Sequence, residues 1–131
     1  MKEFLHAKLH NVKITQTKKE YEGSITIDKR WLTLSGIRPY EKVLVADVEN
    51  GARFETYVIE GEENSGIIAV NGSAANLVEE GHRVIIMAFE HLHNKDLPYY
   101  SVVKLIFDEN NKVKERITET PWDNIIDVEK F

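Results

Sequence analysis

Apolar and polar residues alternate in short runs along most of this chain, and turn-forming residues separate the runs. That period of two is the signature of β-strands with one buried face. Residues 3–15 predict a first strand. Its apolar parity switches between Leu9 and the pair Val12 and Ile14, so a bulge or bend is expected near His10-Asn11. Residues 16–22 are polar and read as a connecting hairpin, and residues 24–27 as a second strand. Asp28 is placed to N-cap a short helix with Trp31, Leu32 and Leu34 on its apolar face. Gly36 is the C-terminal stop and Pro39 enforces the break.

Residues 42–48 alternate again and residues 53–59 return from them. Between these strands Asn50-Gly51 predicts a type I′ turn, in which both central residues take positive φ. A polar loop at 61–66 precedes a short strand at 67–70 and one or two helical turns at 73–78. Residues 83–89 are almost continuously apolar and predict a strand buried on both faces. A loop at 90–98 leads to a last hairpin, 100–107 with 112–117. The acidic tail 118–131, with Trp122, Ile125, Ile126 and Phe131, either packs on a neighbour or is loosely ordered. Many short strands and two short helices predict a mainly β chain folded as a small closed barrel. The pattern alone does not give the strand order.

The chain has 131 residues, the size of one domain, and 42% hydrophobic with 30% charged residues is an ordinary globular balance. The net charge of −5 argues against a nucleic-acid binder, which carries a basic footprint. The absence of cysteine removes disulfides, thiol catalysis and Cys-based zinc sites. Residues 1–6 lack the apolar core of a secretory signal, and no apolar run is long enough to span a bilayer, so the expectation is a cytoplasmic protein without a membrane partner. On that expectation the acceptor pattern Asn71-Gly72-Ser73 is idle. His91-Leu92-His93 lacks the further ligands a metal site needs, and no metal is expected. His6 and His82 read as structural or exposed, and Trp31 and Trp122 as packing residues.

Candidate chemistry centres on Gly23-Ser24, which sits just before an alternating strand; a second Gly-Ser, Gly72-Ser73, shows that the dipeptide alone says nothing. Arg53 and Tyr57 are four residues apart on one strand and share a face. Arg53 offers a bidentate fork for a carboxylate, and Tyr57 can donate a proton to a carbanion in a dry site. Their ordinary reading is an exposed Arg and a half-buried Tyr. Lys8 and His10 also share a face; Lys8 can neutralise a diacid, and His10 is equally a proton relay or a structural hydrogen-bonder. Thr56 points to the other face of its strand. Asn71-Gly72 precedes the small residues Ser73, Ala74 and Ala75, where backbone N–H groups suit a carboxylate or oxyanion, or where a tight turn simply needs Gly.

Lys8-Leu9-His10, Tyr21-Glu22-Gly23-Ser24, Ile27-Asp28, Asn50-Gly51, Arg53, Thr56-Tyr57 and Asn71-Gly72-Ser73-Ala74-Ala75 occur together in order. In this set the chain resembles the aspartate 1-decarboxylase family, from about residue 5 to 89 and more weakly through 100–117. Ser73 departs from it, since many relatives carry Ala there. The resemblance implies a double-psi β-barrel assembled as a homotetramer. It implies that the precursor cuts itself between Gly23 and Ser24, with or without a maturation helper protein, giving chains 1–23 and 24–131. In that cut the Ser24 hydroxyl attacks the preceding carbonyl; the ester eliminates to dehydroalanine, which hydrolyses to a pyruvoyl group. This covalent cofactor, with no pyridoxal phosphate and no metal, would bind the substrate amine as a Schiff base. L-Aspartate would lose CO2 to give β-alanine for pantothenate synthesis. In that scheme Arg53 with Lys8 clamps the retained carboxylate and Tyr57 reprotonates Cα. Thr56 and Tyr21 assist or shape the cleavage segment, His10 supports, and Asn71 to Ala75 line the substrate site. The alternatives are a non-catalytic, unprocessed β-barrel interaction module and a nucleic-acid-binding barrel, the latter opposed by the acidic balance.

Overall fold

A computed structural model describes residues 1–121. The alternation becomes nine strands: β1 (Lys2–Lys13), β2 (Gln16–Lys18), β3 (Ser24–Asp28), β4 (Lys42–Asp47), β5 (Arg53–Gly61), β6 (Ile68–Asn71), β7 (Arg83–Leu92), β8 (Val102–Phe107) and β9 (Val113–Glu119). The described residues add one α-helix, α1 (Lys29–Ser35), and 3₁₀ turns at Gly72–Asn76 and Asn94–Tyr99. Trp122 and the other apolar residues of the predicted tail lie outside the described residues, whereas residues 118–119 belong to β9.

The sheet runs in the order β2-β6-β3-β5-β4-β7-β1-β8-β9. Only Ile14 and Thr15 separate β1 from β2, and their N–H groups donate to His82 and Ile68 carbonyls at 3.0 and 2.9 Å. The segment 2–18 therefore pairs with β7 through β1 and with β6 through β2. It brings together the two ends of the run β6-β3-β5-β4-β7, which curls the sheet as a barrel requires. β1 shifts register between His10 and Val12, with Asn11 at φ +63°, where the parity switch predicted a bulge.

Register sets which side chains face where. Phe54, Val45, Ile86, Leu9 and Leu105 form one row across β5, β4, β7, β1 and β8, and all but Phe54 are fully buried. The flanking rows face outward by the period of two. One holds Arg53, Ala46, Ile85, His10 and Ile106, and the other Glu55, Leu44, Met87, Lys8 and Lys104. The predicted burial of residues 83–89 on both faces is thus corrected. Val84, Ile86 and Ala88 enter the core, while Ile85, Met87 and Phe89 are half-buried on the outer side.

Two local predictions also change. The β4–β5 connection is not a two-residue type I′ turn: Gly51 has φ +76°, whereas Asn50 is outside the positive-φ residues. The reason is Asp47, whose carboxylate accepts Glu49 N–H at 2.7 Å and Asn50 N–H at 3.4 Å, so the chain takes a longer loop before Arg53. Residues 90–92, predicted as loop, extend β7 because they pair with residues 2–4 of β1.

Asp28 closes the fold around β3. It is buried, N-caps α1 through Arg30 N–H at 2.8 Å, and accepts Asn64 N–H at 3.0 Å and Gly66 N–H at 2.8 Å. Gly36, at φ +82°, ends α1 as predicted, and Trp31 packs edge-on against Phe107 at 4.8 Å. Replacing Asp28 with Ala orphans these donors and should cost about 2–4 kcal/mol. The urea midpoint is the readout, and an unshifted midpoint would remove this role.

The buried carboxylate of Asp47 also takes His82 Nδ1 at 2.7 Å. That hydrogen bond raises the His82 pKa, with the charges of Asp47, Glu79 and Glu49 adding to it and desolvation opposing. A raised folded-state pKa contributes stability below the ordinary histidine value and loses it as pH rises through the raised one. The stability gap between wild type and His82→Gln should therefore be wider at about pH 5.5 than at about pH 8.5. Equal gaps in paired urea titrations would contradict the pairing.

Candidate active site

β3 starts at Ser24, and its first pair across the antiparallel ladder with β6 is Asn71. Both are buried. The Asn71 side-chain amide donates to Ser24 Oγ at 2.9 Å and to Thr26 Oγ1 at 3.2 Å, using both its hydrogens. Ser24 Oγ donates weakly to the Glu22 carbonyl at 3.4 Å. The hydroxyl is thus dry and oriented. Asn71 stands at the N-cap position of the 3₁₀ turn but makes no capping bond there, because its amide is turned to β3.

Gly72 explains how the loop reaches this spot. It has φ +78°, and a Cβ there would lie 2.6 Å from Gly23 Cα and 2.8 Å from Gly23 N. Contacts that short do not occur between real atoms, so the backbone of Gly72 rests directly on the segment preceding Ser24. Gly23 itself lies outside the left-handed region, and a Cβ on it would meet nothing within 4 Å. The conformational demand for glycine therefore falls on Gly72, as the tight-turn reading of Asn71-Gly72 expects, and not on Gly23. Tyr21 closes the segment: its carbonyl faces Gly72, and Lys18 Nζ lies 5.5 Å above its exposed ring.

Tyr57 lies at the same end. β3 and β5 run parallel with Ile25 beside Val58, so Tyr57 precedes Val58 as Ser24 precedes Ile25. Thr56 alternates away, sharing parity with Phe54 and Val58, and pairs with buried Val43. In the 3₁₀ turn Ser73 is exposed, Ala74 half-buried and Ala75 buried.

Arg53, on β5, and Lys8 and His10, on β1 three strands away, face outward in the rows described above. His10 Nδ1 is buried and has no hydrogen-bond partner among the described residues. Desolvation, then the charges of Lys8 and Lys104, lower the His10 pKa. Arg53, Lys8 and Thr56 make no hydrogen bond to Ser24 among the described residues. A separate cleft of about 390 Å³ contains Glu3, Glu41 and Glu55, carboxylates ill suited to a dicarboxylate, and Ser24 is not in its wall. His91 pairs with Glu3 at 3.3 Å, and among the described residues no three His, Asp or Glu side chains converge as metal ligands.

Sequence reasoning missed Thr26 and Tyr40. Thr26 had a usable signal, since it is two residues from Ser24 on a strand and must share its face. Tyr40 stacks on Tyr57 with ring centroids 6.1 Å apart and planes at 13°, a contact that no periodicity announces.

The aspartate decarboxylase family profile matches residues 1–114. The chain is 46% identical over 109 residues to an aspartate 1-decarboxylase of Leptospira biflexa, covering 82% of this chain and 92% of that one. It is 44% identical over 111 residues to the enzyme of that name from Clostridium novyi, covering 85% and 90%. With the one from Lactiplantibacillus plantarum it shares 42% over 115 residues, covering 88% of each.

The two glycines give opposite expectations. Gly72→Ala should destabilise by about 2–4 kcal/mol, since it combines a strained φ with a backbone clash. Gly23→Ala should stay within about 1 kcal/mol, because its Cβ has open space. Urea unfolding of the two uncut variants compares them directly, and the reverse order would refute the close approach of Gly72 to Gly23.

Proposed function

The chain belongs to the aspartate decarboxylase family, and from that premise we propose how this chain decarboxylates L-aspartate to β-alanine. Its curled, mainly β sheet is consistent with the double-psi barrel of that family. In this reading the precursor cuts itself between Gly23 and Ser24, with or without a helper protein, and Ser24 becomes a pyruvoyl group. The supporting observation is the buried Ser24 Oγ held by Asn71 at 2.9 Å beside a backbone pressed by Gly72. An oriented, water-excluded hydroxyl next to a glycine carbonyl free of side-chain crowding fits the position from which such a group is made. When formed, the pyruvoyl group supplies a ketone that captures the substrate amine and takes up the electrons released as the α-carboxylate leaves as CO2.

The remaining tasks fall to side chains. Arg53, helped by Lys8, holds the substrate's side-chain carboxylate. A cationic clamp belongs on the retained carboxylate, because neutralising the departing one would stabilise the ground state. Tyr57 returns a proton to Cα. His10, whose lowered pKa favours the neutral ring, supports Lys8 without adding a competing charge. Asn71 and the turn through Ser73, Ala74 and Ala75 line the substrate, while Tyr21 and Thr56 belong to the cleavage step.

Strand order supports sharing these tasks among copies of the chain. From β3 to β1 the sheet crosses β5, β4 and β7, four interstrand steps or roughly 19 Å. Arg53 is four residues from Tyr57 along β5, about 13 Å. A homotetramer in which the outward face bearing Lys8 and His10 meets the Ser24 end of a neighbour would bring these groups to one substrate, and the half-buried Ile85, Met87 and Leu44 on that face suit such packing.

Intact-mass spectrometry of aged, denatured protein tests the reading. The expected products are a fragment ending at Gly23 and a remainder lighter by one ammonia than one starting with Ser24. An uncut chain, before and after incubation with cell extract, would favour the unprocessed interaction module. Arg53→Ala should still be cut, yet lose about 100-fold or more in kcat/KM; normal turnover by that variant would remove the clamp.

A further inference from the structure

Tyr40 is unusually placed. It is 81% exposed, follows Pro39, and has φ +69°, a backbone conformation that a bulky side chain rarely adopts. The turn that presents it is held from several directions. Tyr40 N–H donates to the Val58 carbonyl at 2.7 Å, and Val58 N–H donates to the Glu41 carbonyl at 3.1 Å. The Glu41 carboxylate accepts Arg38 N–H at 3.1 Å and, through its other oxygen, pairs with His6 on β1. Glycine or asparagine would fit this backbone with less strain. What the tyrosine adds is its ring, nearly parallel to that of Tyr57 with centroids 6.1 Å apart, within the range of an offset aromatic stack.

We propose that Tyr40 is a positioning residue for Tyr57: its ring fixes the direction of the Tyr57 phenol, so that the proton reaches the substrate carbon from one side only. The inference rests on the reading of Tyr57 as the proton donor. In the step concerned, the Tyr57 O–H bond breaks, a C–H bond forms at the carbon that lost CO2, and the phenolate recovers its proton from solvent. Tyr40 takes no part in bond making. Its hydroxyl is therefore dispensable and its ring is not.

Three variants of the processed enzyme test this in D2O: Tyr40→Gly, Tyr40→Phe and Tyr57→Phe. Kinetic constants are expressed per cleaved chain, and the stereochemistry of deuterium in the β-alanine is read at the carbon that lost CO2. Tyr40→Gly suits the positive φ, so it keeps the turn while deleting the ring. It should lower kcat about 10-fold or more with KM within about twofold, as expected for a misaligned reacting group. It should also distribute deuterium over both positions of that carbon. Tyr40→Phe should restore wild-type kcat and single-sided labelling, and neither variant should shift the thermal midpoint downward by more than a few degrees.

A merely structural tyrosine would not alter the labelling. Normal kcat with single-sided deuterium in Tyr40→Gly overturns the inference, as does a rise in KM alone. A Tyr40→Phe variant as impaired as Tyr40→Gly overturns it too, because the hydroxyl would then be the active feature. If Tyr57→Phe turns over normally, the donor assignment itself fails and the inference with it. If Tyr57→Phe is slow while Tyr40→Gly is normal, only the role of Tyr40 fails.

Discussion

β3 lies between a parallel neighbour, β5, and an antiparallel one, β6, and this double pairing is the constraint from which the rest of the site follows. The antiparallel side sets Ser24 opposite Asn71 and brings the Gly72 turn down onto Gly23. The parallel side places Tyr57 at the same end of the ladder. Burial then makes Ser24 and Asn71 depend on each other. An unpaired hydroxyl or amide in so dry a place costs about 1–3 kcal/mol, and each satisfies the other.

The same frame is anchored beyond the site by Asp28 at the other end of β3. One carboxylate fixes the start of α1 and the loop through Asn64 and Gly66, so β3 is tied at Ser24 by an amide and at Asp28 by three backbone N–H groups. Between these ties Ile25 and Ile27 enter the core, fully buried. A strand pinned at both ends, with its apolar face packed, has little freedom to slide, and a one-residue slip would turn Ser24 away from Asn71.

Much of this was legible in the chain. The parity switch at Leu9 located the bulge, Asp28 and Gly36 bracketed the helix, and alternation or a short apolar run located every described strand longer than three residues. What failed has physical causes. Asn50-Gly51 carried a strong turn signal, but the Asp47 side chain bonded the loop N–H groups and lengthened it. The apolar run 83–89 looked like a strand buried on both faces, because composition cannot say whether the outer face is covered within the chain or left half-open. The fragments matching the family marked Ser24, Asn71 and Tyr57, and these do gather at one end of the β3 ladders. Arg53 and Thr56 share β5 with Tyr57, but Arg53 lies four residues along it and Thr56 faces the other way, while Lys8 is on β1, a separation that sequence motifs, which carry no information on strand order, do not announce. The Tyr40–Tyr57 stack depends on a turn conformation and had no signal at all.

Charge pairing separates residues that serve the fold from those that do not. Lys42 meets Glu55 at 3.0 Å, Arg83 meets Glu49 at 2.9 Å, and Lys104 meets Glu119 at 3.2 Å. The Arg83 pair holds the Glu49 carboxyl down to about 2. Among the described residues, Arg53 and Lys8 carry no such partner. Lys8 is moreover directly opposite Lys104 across the parallel ladder, an arrangement of like charges that destabilises a sheet. Glu119 relieves Lys104 but leaves Lys8 half-buried beside His10, whose lowered pKa registers that positive field. A fold selected for stability alone would place an acid beside Lys8. A half-buried cation without an anion among the described residues, next to an unpartnered imidazole nitrogen, suits a surface whose counter-charge would arrive with a ligand.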